Sequence, residues 1–275
     1  GFWTGDITIG DDNRLVVAIG APCEDCEFDP SERGMILSMA LDGSDRQTIA
    51  TGFRNPADVE FYRGALWTLD TSPRKHDSGI LDELNQVEIG GWYGFPYCLG
   101  NDTVNILSDD ITCEDAVRPH ILFGSSATPR SLAAYPYDTL PGTEDTLIIV
   151  LSGEPTQVDF NGYKVVMVNF DADNQPLGLT LLVPFRKDSG KQAFEPYTEE
   201  GYRARHIITL SEQGWGLYPQ QPLAVAVNSR GWIYLSIKGG RIVALRPVDK
   251  LLERDNIYPI WTPMNPNYSP DNPQK

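Results

Sequence analysis

Basic residues are scarce in this chain: 22 lysines and arginines stand against 38 aspartates and glutamates, a formal charge of −16 over 275 residues. A field of that sign repels phosphate backbones and anionic bilayer surfaces, so nucleic acid is not expected as a partner. Long apolar runs are missing as well. The longest candidates, such as "TLIIVL" at 146–151, have strand length, whereas a bilayer-crossing helix needs about 20 apolar residues, and no membrane span is expected. No stretch sustains a helical period over the dozen or so residues a helix wants. Proton acceptors of the imidazole type are few: His76, His120 and His206 are the whole supply. The chain opens on Gly1, with neither a charged nor an apolar leader, and reads as a processed or trimmed product.

Cysteine occurs only four times, as a close pair, Cys23 and Cys26 in "PCEDC", and a wider pair, Cys98 and Cys113. In an oxidising compartment this predicts two local disulfides. A four-cysteine zinc site is the competing reading, opposed by the loose spacing of the second pair and the acidic residues around both. Two sequons, at Asn101 and Asn267, are candidate glycosylation sites, and together with the even cysteine count they predict a secreted, extracellular chain.

What is abundant is the short strand bounded by turn residues. "DITIG", "LVVAIG", "GMILSMAL" and "RQTIATG" make a first round of four, and the pattern then restarts near 57, 130 and 223. Such a restart predicts an all-β fold: a β-propeller of four-stranded blades, about four of them in this chain. The blades are expected near 6–52, 57–123, 130–186 and 222–246, within a propeller domain spanning 1–247. The fourth lacks a recognisable outer strand. A β-sandwich is the alternative, and the fourfold restart argues against it. Residues 248–275 are expected to form a proline-rich tail.

The stretch "ATGFRNPADVEFYRGALWTLDTSPRKHDSGILDELNQVEIGGWYGFPYC" resembles soluble quinoprotein sugar dehydrogenases, in particular the glucose/sorbosone and fungal pyranose dehydrogenase branch. "LVVAIGAPCEDCEFDPSERGMILSMALDGS" is similar to the same branch, and a weaker similarity reaches about residue 247. The resemblance implies a six-bladed propeller with pyrroloquinoline quinone (PQQ) and calcium at one end of the channel. This chain resembles blades three to six, and a separate N-terminal fragment could supply the others. Arg54 and Asn55 correspond to the pair that meets the quinone's carbonyl edge, where a guanidinium stabilises charge on the reduced oxygen. Ser72 and Pro73 stand at the pair whose main-chain carbonyls ligate calcium, with Asp82 and Glu83 matching the acidic pair behind that loop.

The resemblance also marks departures. Gapless matching puts Phe2 where the family carries its catalytic histidine, and neither Phe2 nor Trp3 can accept a proton, a loss worth about 10² to 10⁴ in rate. Ser152, Gly153, Glu154 and Pro155 replace a histidine-containing segment, Gln221 replaces an arginine before Pro222, and an acidic residue is lost around Ile237 and Lys238. Losing cations weakens attraction for a tricarboxylate cofactor.

His76, just after Pro73, is the one candidate for a substitute base, while His120 and His206 fall near outer strands or loops. Trp92, Tyr93, Phe95 and Tyr97 serve either as core or as a sugar-stacking platform. Trp215 and Tyr218 lie in the loop entering the last blade. Two functions follow: a degenerate propeller that binds a carbohydrate or an extracellular protein, or serves a structural role, and an active PQQ- and calcium-dependent sugar dehydrogenase with a non-standard base.

Overall fold

A computed structural model describes residues 2, 4–24, 26–30, 33–73, 81–100, 103–104, 111–124, 127–137, 145–154, 162–183, 192–193, 207–208 and 220–245. No helix occurs among them; the ordered elements are strands joined by turns. His76, Asn101, Pro155, His206, Trp215, Tyr218, Asn267 and the 248–275 tail lie outside the described residues.

The first sheet runs in order β1 (Thr4–Ile9), β2 (Leu15–Ile19), β3 (Met35–Met39) and β4 (Gln47–Thr51). The second steps through β5 (Pro56–Tyr62), β6 (Ala65–Asp70) and β7 (Glu83–Gln86). It continues, after a short hairpin of β8 (Cys98–Leu99) and β9 (Thr103–Val104), to β10 (Ile121–Phe123). The third holds β11 (Pro129–Tyr135), β12 (Thr146–Leu151), β13 (Lys164–Phe170), β14 (Pro176–Val183) and an edge piece, β15 (Gln192–Ala193). A distant two-residue strand, β16 (Ile207–Ile208), lies parallel against β10. The fourth sheet has three strands among the described residues: β17 (Pro222–Val227), β18 (Ile233–Ile237) and β19 (Arg241–Leu245).

The leading strands of successive sheets pack side by side, β1 on β5, β5 on β11 and β11 on β17, which is the radial arrangement of propeller blades. Among the described residues the fourth sheet does not return onto the first, so the sheets form an open arc.

The core lies between sheets, and period-two alternation sorts it. Leu147, Ile149 and Leu151 of β12 point toward the second sheet, while Ile148 and Val150 point toward the fourth. Both faces are covered, so "TLIIVL" and "KVVMVNF" are mostly apolar and buried at every position. β1 differs. Ile7 and Ile9 are more than half exposed on its uncovered side.

Turn chemistry follows the composition. Arg63 and Gly64 both have positive φ, 50° and 73°, the geometry of a two-residue hairpin whose twist suits the flanking strands. Elsewhere short acidic or amide side chains close the turn on themselves: Asp171 accepts from the amides of Asp173 and Gln175, and Asn228 from those of Arg230 and Trp232.

A polar stitch runs from sheet to sheet along the leading strands. The amide of Val59 donates to Asp6 at 3.4 Å, that of Leu132 to Asp58 at 3.0 Å, and that of Val225 to Ser131 at 3.1 Å. Each acceptor sits near the start of its own leading strand and serves the next, at about 1 kcal/mol per bond.

Candidate functional site

The two motifs that open this site meet through a glycine. Gly52 has φ of 82°, and a Cβ there would fall 2.6 Å from the Trp92 ring and 2.7 Å from the Gly94 nitrogen. Glycine lets the "GFRNP" turn lie directly against "GWYGF", whose Tyr93 and Phe95 amides donate to the carbonyls of Thr51 and Gly52 at 2.8 and 2.9 Å. Tyr93 then stacks on Phe53 with ring centroids 4.4 Å apart and donates its hydroxyl to the Gln86 carbonyl at 2.6 Å. Tyr93 and Phe95 are therefore core, while Trp92 and Tyr97 are half-buried.

Anchored in this way, Arg54 and Asn55 sit in the turn before β5. Their backbone amides donate to the two carboxylate oxygens of Asp70, the last residue of β6, at 2.9 and 2.6 Å. Burial pushes the Asp70 carboxyl up to about 6, against the pull of those two amides.

The Arg54 side chain, 3% exposed, is held from three sides. Nη1 donates to the Thr71 carbonyl at 2.6 Å and to its hydroxyl at 3.2 Å. Nη2 forms a close ion pair with Glu24, which reaches in from the tight loop closed by the Cys23–Cys26 disulfide. Over the guanidinium lies the ring of Phe2, 4.3 Å from its centre. Phe2 is itself fixed at its backbone, donating to the Ala21 carbonyl at 2.8 Å and accepting from Arg33 at 2.8 Å. The Asn55 amide nitrogen is also engaged, with Thr71 Oγ1 at 2.9 Å.

Behind this cluster lies the Ser72–Pro73 loop. The carboxylate of Asp82 accepts the Ser72 amide at 2.9 Å and, across to the third sheet, the Thr128 amide at 2.8 Å. Glu83 accepts from Gly100 and from the Asn85 side chain. Burial, then the nearby Asp70 charge, push its carboxyl up to about 8, so it is protonated at neutral pH. Between Arg54, Asp70, Ser72, Pro73 and Glu83 remains a void of about 10 Å³, room for one water molecule.

A larger polar cavity of about 680 Å³ opens at the ends of the leading strands. Phe2, Arg54, Asn55, Arg130, Gln221 and Lys238 are among its lining residues, with Gly153, Glu154 and Leu223 completing the far side. Gln221 donates to the Gly153 carbonyl at 2.7 Å, and buried Ser152 to that of Pro222 at 2.5 Å, tying the third sheet to the fourth beside the cavity.

As arranged, these residues do not fit a planar anionic quinone. Of the donors that would meet its carbonyl edge, Arg54 Nη1 and Nη2 are engaged by Thr71 and Glu24, Asn55 Nδ2 gives one of its two hydrogens to Thr71, and a phenyl ring covers the guanidinium face. For calcium, the main-chain carbonyls of Ser72 and Pro73 are the donors of the right type. Asp82 is committed to backbone amides, and among the described residues no three His, Cys, Asp or Glu side chains are grouped to hold a metal.

Both predicted disulfides form, Cys23–Cys26 and Cys98–Cys113, which answers the zinc alternative. His120 packs edge-on against Trp67 at 5.2 Å, beside the outer strand β10. None of Trp92, Tyr93, Phe95 and Tyr97 lines the larger cavity. Glu24 and Arg130 were not legible as site residues. The only hint of Glu24 was an acidic residue enclosed by a close cysteine pair, and Arg130 carried no motif.

Residues 4–154 match the Glucose / Sorbosone dehydrogenase family. No match is found among curated proteins. Among solved structures, the chain is similar to a Carbohydrate-Active Enzymes Family AA12 protein of Trichoderma reesei in a calcium structure. Identity is 18% and the TM-score 0.62, over 88% of this chain and 67% of that one. It is also similar to the holo form of the pyranose dehydrogenase PQQ domain of Coprinopsis cinerea (15%, TM-score 0.58, 86% of this chain and 68% of that one). A third is the PQQ-bound aldose sugar dehydrogenase of Streptomyces coelicolor (19%, TM-score 0.53, 89% and 61%). The chain thus spans roughly two thirds of the length of these structures.

Proposed function

This chain belongs to the glucose/sorbosone dehydrogenase family, and from that premise we propose that it is a catalytically degenerate member, an extracellular propeller that binds carbohydrate at the channel end without oxidising it. One observation carries the reading: the guanidinium of Arg54 is neutralised by Glu24, bonded to Thr71 and covered by Phe2. A sugar-oxidising site needs a proton acceptor beside the substrate hydroxyl and a cation free to stabilise the reduced quinone. Here a hydrocarbon ring stands where the resemblance places the acceptor, and both terminal nitrogens of the cation are bonded internally, leaving only its buried Nε without a partner among the described residues. The cavity remains large enough for a sugar ring or two, with amide acceptors and a phenyl face to receive it. Two disulfides support an oxidising, secreted setting.

Calorimetric titration with neutral mono- and disaccharides is expected to show saturable binding to the full chain. The same preparation, given quinone, calcium, an aldose and an electron-acceptor dye, is expected to reduce no more dye than a protein-free blank. Sugar-dependent dye reduction would establish the active-dehydrogenase alternative in its place.

A further inference from the structure

Among the described residues, two cations of the larger cavity have no hydrogen-bond or ion-pair partner for their side chains. The carboxylates that line this cavity are already occupied: Glu24 pairs with Arg54, and Glu154 is engaged in an interaction of its own. The two cations are Arg130 and Lys238, both exposed. They come from adjacent sheets. Arg130 is the second residue of β11, and Lys238 directly follows β18, held by its amide to the Gln221 carbonyl at 2.8 Å beside β17. Packing of β11 on β17 therefore sets both cations on the third- and fourth-sheet side of one cavity, opposite Phe2 and Asn55.

From this placement we propose that the cavity selects an acidic carbohydrate, with the carboxylate of a uronic acid held by Arg130 and Lys238. The proposal rests on the carbohydrate-binding reading above and names the substrate class of that same site. A guanidinium and an ammonium on the same side of one cavity match a carboxylate better than a neutral hydroxyl, through charge-assisted hydrogen bonds. The rest of the ring has partners too. With Asn55 Nδ2 and Gln221 Nε2 given to Thr71 and Gly153, the two side-chain carbonyl oxygens remain to accept sugar hydroxyls, and Phe2 and Leu223 offer apolar surface. A singly charged carboxylate also suits the chain's overall field better than a dianionic phosphate ester, which pays about twice the long-range repulsion.

Calorimetric titration of the full chain with glucuronate, glucose and glucose 6-phosphate, at about 50 mM and 500 mM salt, tests this. Glucuronate is expected to bind about five- to tenfold more tightly than glucose at the lower salt, with the advantage shrinking at the higher. It is also expected to outbind the phosphate ester. The double variant Arg130→Gln/Lys238→Gln should lose the preference, while Arg46→Gln, an exposed cation outside the cavity lining, should keep it. Equal affinity for glucose and glucuronate overturns this proposal and leaves the carbohydrate-binding reading standing, as does a preference that survives in the double variant. Tighter binding of the phosphate ester overturns the choice of a carboxylate. Binding of none of the three sugars overturns both readings together.

Discussion

Truncating Asp82 to alanine is expected to lower the stability of this protein by about 3 kcal/mol, roughly 6–12 °C in Tm for a domain of this size. The residue reads in the sequence as half of an acidic pair behind a calcium loop, yet its role in the structure is mechanical. Its two oxygens accept the amides of Ser72 and Thr128, on loops of the second and third sheets, and its carbonyl accepts the Phe123 amide at 2.7 Å. Alanine leaves the first two amides without acceptors in a water-poor junction, and each orphaned donor costs about 1–3 kcal/mol. Asp82→Asn keeps one side-chain acceptor and should lose roughly half as much. Thermal or urea denaturation separates the two, and an alanine variant as stable as the parent would show that the junction is held by other contacts.

Stability should fall as pH rises from about 5 to about 8.5, opposite to the trend of a protein rich in salt-bridged carboxylates. Burial first, then the neighbouring Asp6, push Asp58 up to about 8 and Glu60 to about 7; burial raises Asp70 to about 6, and burial with Asp70 raises Glu83 to about 8. In the unfolded chain these carboxyls titrate near 4. Between about 4 and the folded values, the folded state holds protons that the unfolded state has released, so unfolding gains as protons become scarce. The stabilisation is complete below about pH 4 and is lost as pH passes through 6, 7 and 8 in turn.

Asp58 and Glu60 are half-buried and share one neighbour, so their effects are screened and not additive; a net loss of about 2–3 kcal/mol, or roughly 5–10 °C in Tm, is expected across the range. Asp58→Asn, which keeps an acceptor for the Leu132 amide, should flatten the slope. A Tm that climbs toward pH 8 would contradict the arrangement of Asp6 and Asp58 described above.

The sheets were legible because their chemistry is local and periodic. "TLIIVLS" and "YKVVMVNF" read as strands covered on both faces, and the four rounds give the blades their order. The disulfides were legible for the same reason, each closing a short loop. What escaped were contacts that exist only once the sheets are packed. Nothing in "PADVEF" distinguishes Asp58 from any solvated residue of an alternating strand, yet it is the acceptor that stitches β5 to β11. Glu24 is one acid among several in an acidic loop, and its reach to Arg54 depends on where that loop folds over the channel end. Arg130 and Lys238 are far apart in sequence and carry no shared motif; adjacent sheets bring them to one cavity. The family resemblance singles out Phe2, but the ring's seat on Arg54 depends on where the folded chain brings residue 2 against the turn before β5.

The central claim is that the terminal guanidinium nitrogens of Arg54 are already engaged inside this chain, by Thr71 and Glu24 under the Phe2 ring. Its most direct test is an absorbance-monitored equilibrium titration of the full chain with PQQ in the presence of calcium, repeated on the variant Phe2→Ala/Glu24→Ala. No saturable uptake is expected for the parent chain, and measurable uptake is expected once the ring and the carboxylate that occupy Arg54 are removed. Uptake of one quinone per parent chain, at the same affinity as the variant, would contradict it.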